Sequence, residues 1–81
     1  MRKVTEGEIK EYVRENGEFE KEHRKYSSFY CWVNHTIKQE DVEYIAEHYD
    51  ADASGFLNVN VSMSGMWDES YGTDWHSIEY G

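Results

Sequence analysis

The chain is expected to fold as one small α+β domain over residues 1–81. The expected architecture is an antiparallel sheet of about three or four strands, with one or two helices packed on one face. Three observations predict this. Eighty-one residues leave room for one hydrophobic core. Two segments carry apolar residues at helical spacing. At least two others alternate apolar and polar residues with the period of a strand. The order reads α–(α or β)–β–α–β–β, which suits an antiparallel sheet with its helices on one side.

The first helix is read from about residue 5 to 16. Thr5 and Glu8 have the spacing of a capping box, and Ile9, Tyr12 and Val13 share one face. Asn16-Gly17 supports either a helix end or a hairpin turn. Phe19, His23 and Tyr26 also fall near the face that a continued helix would use. Residues 18–26 are therefore open between helix and strand. Ser28 to Ile37 reads as a strand, with Phe29, Cys31, Val33 and Ile37 on one face and Tyr30, Trp32, Asn34 and Thr36 on the other. Thr36 to Gln39 offers a second capping box. Val42, Ile45, Ala46 and Tyr49 then mark the clearest helix.

Asp50 to Gly55 reads as a turn. A strand follows, with Leu57, Val59, Val61 and Met63 on its apolar face and a bend or bulge expected at Ser64-Gly65. Asp68 to Gly72 forms a hairpin loop, and Thr73 to Tyr80 returns as the last strand. Leu, Ile, Val and Phe supply only 14 of the 81 residues, so the core depends on rings. Three Trp, seven Tyr and three Phe are available, each able to bury about 150–250 Å².

Composition excludes several classes of function. The formal charge is −9, which argues against direct binding to nucleic acid. No apolar run is long enough for a membrane span, and the first residues lack a secretory h-region, so a cytoplasmic protein is expected. Cys31 is the one cysteine, which excludes an internal disulfide. The charge is also one-sided. Residues 1–26 hold seven bases and seven acids, whereas residues 27–81 hold Lys38 and ten acids.

Three features could carry chemistry. The first is an acidic stripe on the second helix. Glu40, Glu43, Glu47 and Asp50 lie about 5–6 Å apart at Cβ, opposite the apolar face. A groove of Lys and Arg that tracks phosphates could accept such a stripe instead. The second is Asp50-Ala51-Asp52-Ala53-Ser54-Gly55-Phe56-Leu57-Asn58, which resembles the first nine positions of an EF-hand calcium loop. Val61 stands where the bidentate Glu belongs, so no metal ligand or cofactor is assigned. The third is the aromatic and acidic set around the last hairpin: Trp67, Asp68, Glu69, Tyr71 and Asp74, with Met63, Met66, Trp75 and Tyr80. One of Trp67 and Trp75 is expected to complete the core, and the other to meet a partner.

His23, His35, His48 and His76 show no zinc spacing. Cys31 and His35 share a strand face, but Cys31 reads as a small core residue, and no enzymatic activity is expected.

In size, net charge and lack of a catalytic motif, the chain is similar to the small acidic inhibitors that phages and mobile elements encode against host nucleic-acid-binding proteins. Anti-CRISPR, anti-restriction and DNA-glycosylase inhibitor proteins are examples. The likeness is one of general character and transfers no site residue. The implied function is non-enzymatic: occlusion of a basic surface on a nucleic-acid-binding protein or complex, partly by mimicry of phosphate charge. The alternatives are a calcium-responsive module built on residues 50–58 and an acidic assembly protein that self-associates, as a homodimer through a strand edge or the exposed aromatics.

Overall fold

The computed structural model of the chain describes residues 1–23, 28–68, 70 and 72–81. Its elements are β1 (Arg2–Lys3), α1 (Glu6–Asn16), β2 (Glu18–His23), β3 (Ser28–Thr36), α2 (Gln39–Tyr49), β4 (Ala51–Asp52), a 3-10 turn (Ser54–Phe56), β5 (Asn60–Asp68) and β6 (Gly72–Tyr80). A four-stranded antiparallel sheet in the order β2-β3-β5-β6 carries both helices on one face, as the hydrophobic pattern predicts.

The capping box at Thr5 forms. The Glu8 N–H donates to Thr5 Oγ1 at 3.2 Å, and the Thr5 N–H donates to Glu8 Oε1 at 2.9 Å. At the other end, Gly17 adopts φ −80° and ψ 169°. It is thus neither a left-handed cap nor a hairpin turn, but the first extended residue after the helix. A side chain there would meet Val13 O at 2.6 Å and Asn34 O at 2.8 Å, so only glycine lets α1 run straight into the sheet.

The ambiguity over residues 18–26 resolves as strand for 18–23; residues 24–26 lie outside the described residues. The period is two. Glu18 and Glu20 pair with Asn34 and Trp32, while Phe19, opposite Val33, takes the helix side. From there Phe19 meets Trp75 edge-to-face, with ring centroids 6.3 Å apart. These residues belong to opposite edge strands. Between them, on the central strands, Cys31 and Gly65 sit opposite each other.

Three local expectations need correction. The second capping box starts not at Thr36 but at Lys38, where the backbone N–H donates to Asp41 Oδ2 at 2.7 Å. The Thr36 hydroxyl instead accepts from Asn60 Nδ2 across the sheet. Residues 50–55 are more than a turn. Asp50, at φ 51°, redirects the chain so that Ala51-Asp52 pairs in parallel with Arg2-Lys3, burying Ala51 and Ala53. Finally, β5 begins at Asn60 rather than near Leu57. Asn58 takes a left-handed conformation, φ 66°, and its N–H donates to Ile37 O at 2.7 Å. Leu57 is left exposed, and Phe56 packs against Tyr80 instead. The expected irregularity at Ser64/Gly65 is present as a shift of register with β6.

The core lies between helices and sheet. Ile9, Tyr12 and Val13 of α1 and Ile45 of α2 meet Val33, Val61 and Met63 of the sheet, with Ile37, Ala51 and Ala53 closing the end. Among the described residues, no helix covers the opposite face of the sheet. No helix among the described residues is long and apolar enough to cross a membrane.

Candidate functional site

The apolar residues of α2 face α1 and the sheet, so the acids on its other side face solvent. Glu40, Glu43, Glu47 and Asp50 are all exposed. Asp50 caps the C-terminus of the helix, which brings it beside Arg2. The Arg2 guanidinium is already engaged. It holds Glu8 through two bonds of 2.7 Å and donates to the Tyr49 carbonyl at 2.9 Å. It therefore ties β1 to both helices and is not a free counter-charge for the stripe.

A second row of acids lies on α1. On α1, Glu8, Glu11 and Glu15 recur at helical spacing, and Glu11 and Glu15 are exposed. Their field reaches α2. The Tyr49 phenol is pushed up first by burial and then by Glu11 and Glu15. The basic residues of α1 take another flank. Lys10 pairs with Glu6 at 3.8 Å and lines a recess with Trp75 and His76. Glu11 and Glu15 escaped notice because residues 1–26 are neutral in sum. Helical phase separates their charges in space, and that periodicity was the readable signal.

Beneath the acidic surface lies a buried polar cluster that sequence reasoning missed. Asp41 is only 5% exposed. Its Oδ1 accepts from the Tyr12 hydroxyl and lies 3.0 Å from His35 Nε2, while Oδ2 accepts from the Lys38 N–H. Burial pushes the Asp41 carboxyl up, but the bonds from Tyr12, Lys38 and His35 outweigh it, and the net shift is downward. Tyr12 is pushed up by burial and by Asp41. The cluster links α1, β3 and α2, so it fixes the acidic helix to the rest of the molecule. In the sequence, Asp41 counts only as one of the ten acids of residues 27–81. Only its position at N3, one residue off the exposed face, separates it.

The hairpin set is partly placed. Asp68 ends β5 half-buried, with Oδ1 accepting from the Ser70 N–H at 2.8 Å. Trp67 is half-buried opposite Thr73, and Asp74 is exposed opposite Met66. Glu69 and Tyr71 lie outside the described residues. Trp75, not Trp67, is the ring that packs on the core. The described residues of the hairpin set and the helix stripe lie on different elements. Lys38 and α2 follow Thr36, which pairs with Asn60 at one end of β5, and Asp68 is at the other end. For eight residues of strand, that separation is about 27 Å.

The EF-hand-like segment is divided between the C-cap Asp50, β4 and the 3-10 turn. Asp52 is a strand residue opposite Lys3, and its Oδ1 accepts from the Ser54 N–H at 2.9 Å. Among the described residues, no three His, Cys, Asp or Glu side chains are grouped to hold a metal ion. Cys31 is fully buried and its thiol is pushed up by that burial, while His35 engages Asp41.

The Arg2–Glu8 contact makes a pH prediction. The Arg2 bond first, then the Thr5 N–H, lower the Glu8 carboxyl to about 2. A lowered folded value means that the contribution is complete above the ordinary Glu range and is lost as pH falls toward the folded value. Glu8→Gln is thus expected to melt below the parent by a constant margin above about pH 5, with the margin closing between about pH 4.5 and pH 2. Thermal melts of both proteins across pH check this. A margin independent of pH would show that the carboxylate charge is not involved.

No protein-family model, curated protein or solved structure matches this chain.

Proposed function

We propose that the protein is a non-enzymatic binding module that covers a basic surface on a nucleic-acid-binding protein or complex. One observation carries this reading: Glu40, Glu43 and Glu47 are all exposed on α2, and Asp50 is exposed at its C-terminal cap. Acids spaced at about 5–6 Å resemble the charge spacing of a phosphate strand. A partner that reads phosphates with Lys and Arg would be steered to them, and the attraction would weaken in salt. Inhibition would follow from occlusion, since the bound helix would stand where the nucleic acid backbone otherwise runs. The hairpin acids Asp68 and Asp74 would form a second, separate contact.

The test is a pair of affinity captures from cell lysate, eluted by a salt gradient and identified by mass spectrometry. The baits are the parent and a variant carrying Glu40→Gln, Glu43→Gln, Glu47→Gln and Asp50→Asn. The parent is expected to retain a nucleic-acid-binding protein that moderate salt releases, and the variant to lose it or release it at lower salt. With four phosphate-like contacts removed, the loss is expected to be on the order of tenfold to a hundredfold in affinity. Equal retention by both baits overturns the reading.

A further inference from the structure

The face of the sheet that no helix covers carries its own surface. Strand alternation places Glu18 and Glu20 of β2, Tyr30 and Trp32 of β3, Ser62 and Ser64 of β5, and Ser77 and Glu79 of β6 on this side. In its middle is a concavity of about 500 Å³ lined by Tyr30, Trp32, Ser62, Ser64, Ser77 and Glu79. The two rings are adjacent on one strand, with centroids 5.7 Å apart. The Trp32 Nε1–H donates to Glu20 Oε2 at 2.8 Å, which holds the indole toward the β2 edge. Ser64 and Ser77 share a hydroxyl bond of 2.6 Å on the floor.

Charge decides what such a surface accepts. Carboxylates stand at both edges, Glu18 and Glu20 on β2 and Asp74 and Glu79 on β6. Among the described residues, no Lys or Arg takes a position on this face. An occupant must therefore be cationic, and it must also offer a flat apolar surface to the rings. A guanidinium does both: it stacks on an aromatic face and donates a fork of N–H bonds to a carboxylate. An ammonium supplies only the charge. A second copy of the chain is a poor fit, because acids at both edges would meet acids.

We infer that this concavity receives an arginine-bearing segment of the basic partner, with a guanidinium over Trp32 and Tyr30 and its N–H groups toward Glu79. The inference rests on the reading that the partner is basic. It adds a contact on the opposite side of the sheet from the helices, so one partner would be gripped by a peptide segment as well as by the acidic helix.

The experiment is an NMR titration of the isotopically labelled full chain. The probes are a short arginine peptide and a lysine peptide of the same length, at physiological salt. The arginine peptide is expected to move the Trp32 indole N–H and the Ser64 and Ser77 amide signals, and to bind this face more tightly than the lysine peptide. Trp32→Ala and Glu79→Gln are each expected to weaken it by about fivefold. Glu79 is exposed, so its variant reports on binding even where Trp32→Ala perturbs the fold. The four-fold helix variant is expected to keep the Trp32 response. Signals that move only along α2 would overturn this inference and leave the acidic-helix reading standing. Signals that move on neither surface would overturn both. Equal response to the two peptides would show bulk charge attraction and overturn the arginine assignment. Shifts of the same signals with protein concentration alone would show that a second copy occupies the face, which also overturns it.

Discussion

Asp41→Ala is expected to cost about 3–5 kcal/mol, the usual penalty for removing one partner of a buried charged network. The carboxylate is 5% exposed and serves three groups: the Tyr12 hydroxyl, His35 Nε2 and the Lys38 N–H. Alanine would leave all three facing a void, and Lys38 would lose the bond that starts α2. A domain of this size has about 5 kcal/mol to lose, so most of the protein should unfold near room temperature. Asp41→Asn should cost less, because the amide keeps the shape and one acceptor. It still turns a donor toward one of three donors.

Tyr12→Phe separates the contributions. Alone it should cost about 1–2 kcal/mol, and in the Asp41→Ala background much less, because the bond it breaks is already gone. Urea unfolding followed by aromatic fluorescence would measure each step. Additive losses would show that Tyr12 and Asp41 act separately, and a loss under about 1 kcal/mol for Asp41→Ala would show that the cluster contributes little. Under the proposed function, a variant that frays α2 is expected to lose partner binding without touching any residue of the stripe.

Gly65→Ala is expected to be nearly as damaging, at about 3 kcal/mol or more. A Cβ at this position would overlap the carbonyl oxygen of Asp74 and lie 2.8 Å from Trp75 Cα. Both obstacles are backbone of β6, so no side-chain adjustment relieves them. Strand β6 must move away from β5, at the place where the register already shifts between Ser64 and Gly65. Trp75 moves with it and loses its edge contact with Phe19. Gly55→Ala is the matched control, with no atom within 4 Å of an added Cβ; its effect should stay within about 0.5 kcal/mol. Similar losses for both variants would show that backbone approach at Gly65 is not the cause.

Much of this was readable before folding was considered. The capping box at Thr5 and Glu8 involves neighbours three residues apart, so local sequence contains both halves of it. The α2 stripe depends only on helical phase, since Val42, Ile45, Ala46 and Tyr49 oppose Glu40, Glu43 and Glu47 in any helix through these residues. The alternation of β3 and the irregularity at Ser64/Gly65 are local in the same sense.

What escaped was long-range or depended on a single backbone torsion. Leu57 and Val59 carry a strand pattern, yet the left-handed turn at Asn58 excludes them from β5, and that turn is held by a bond to Ile37. Residues 18–23 carry helical and strand patterns at once. Pairing with β3 decided between them, since residues 18 to 23 take partners from Asn34 back to Phe29.

The sequence by itself determined the fold class, the faces of α2 and β3, and the excess of acid, because each depends on residue type at short spacing. Only the tertiary structure decided that Asp41 is buried against Tyr12 and His35 while its neighbours on α2 stay exposed, and that both helices pack on one face of the sheet. Those outcomes depend on how α1, α2 and four strands meet, and residues 29 positions apart, such as Tyr12 and Asp41, have no local signal of their contact.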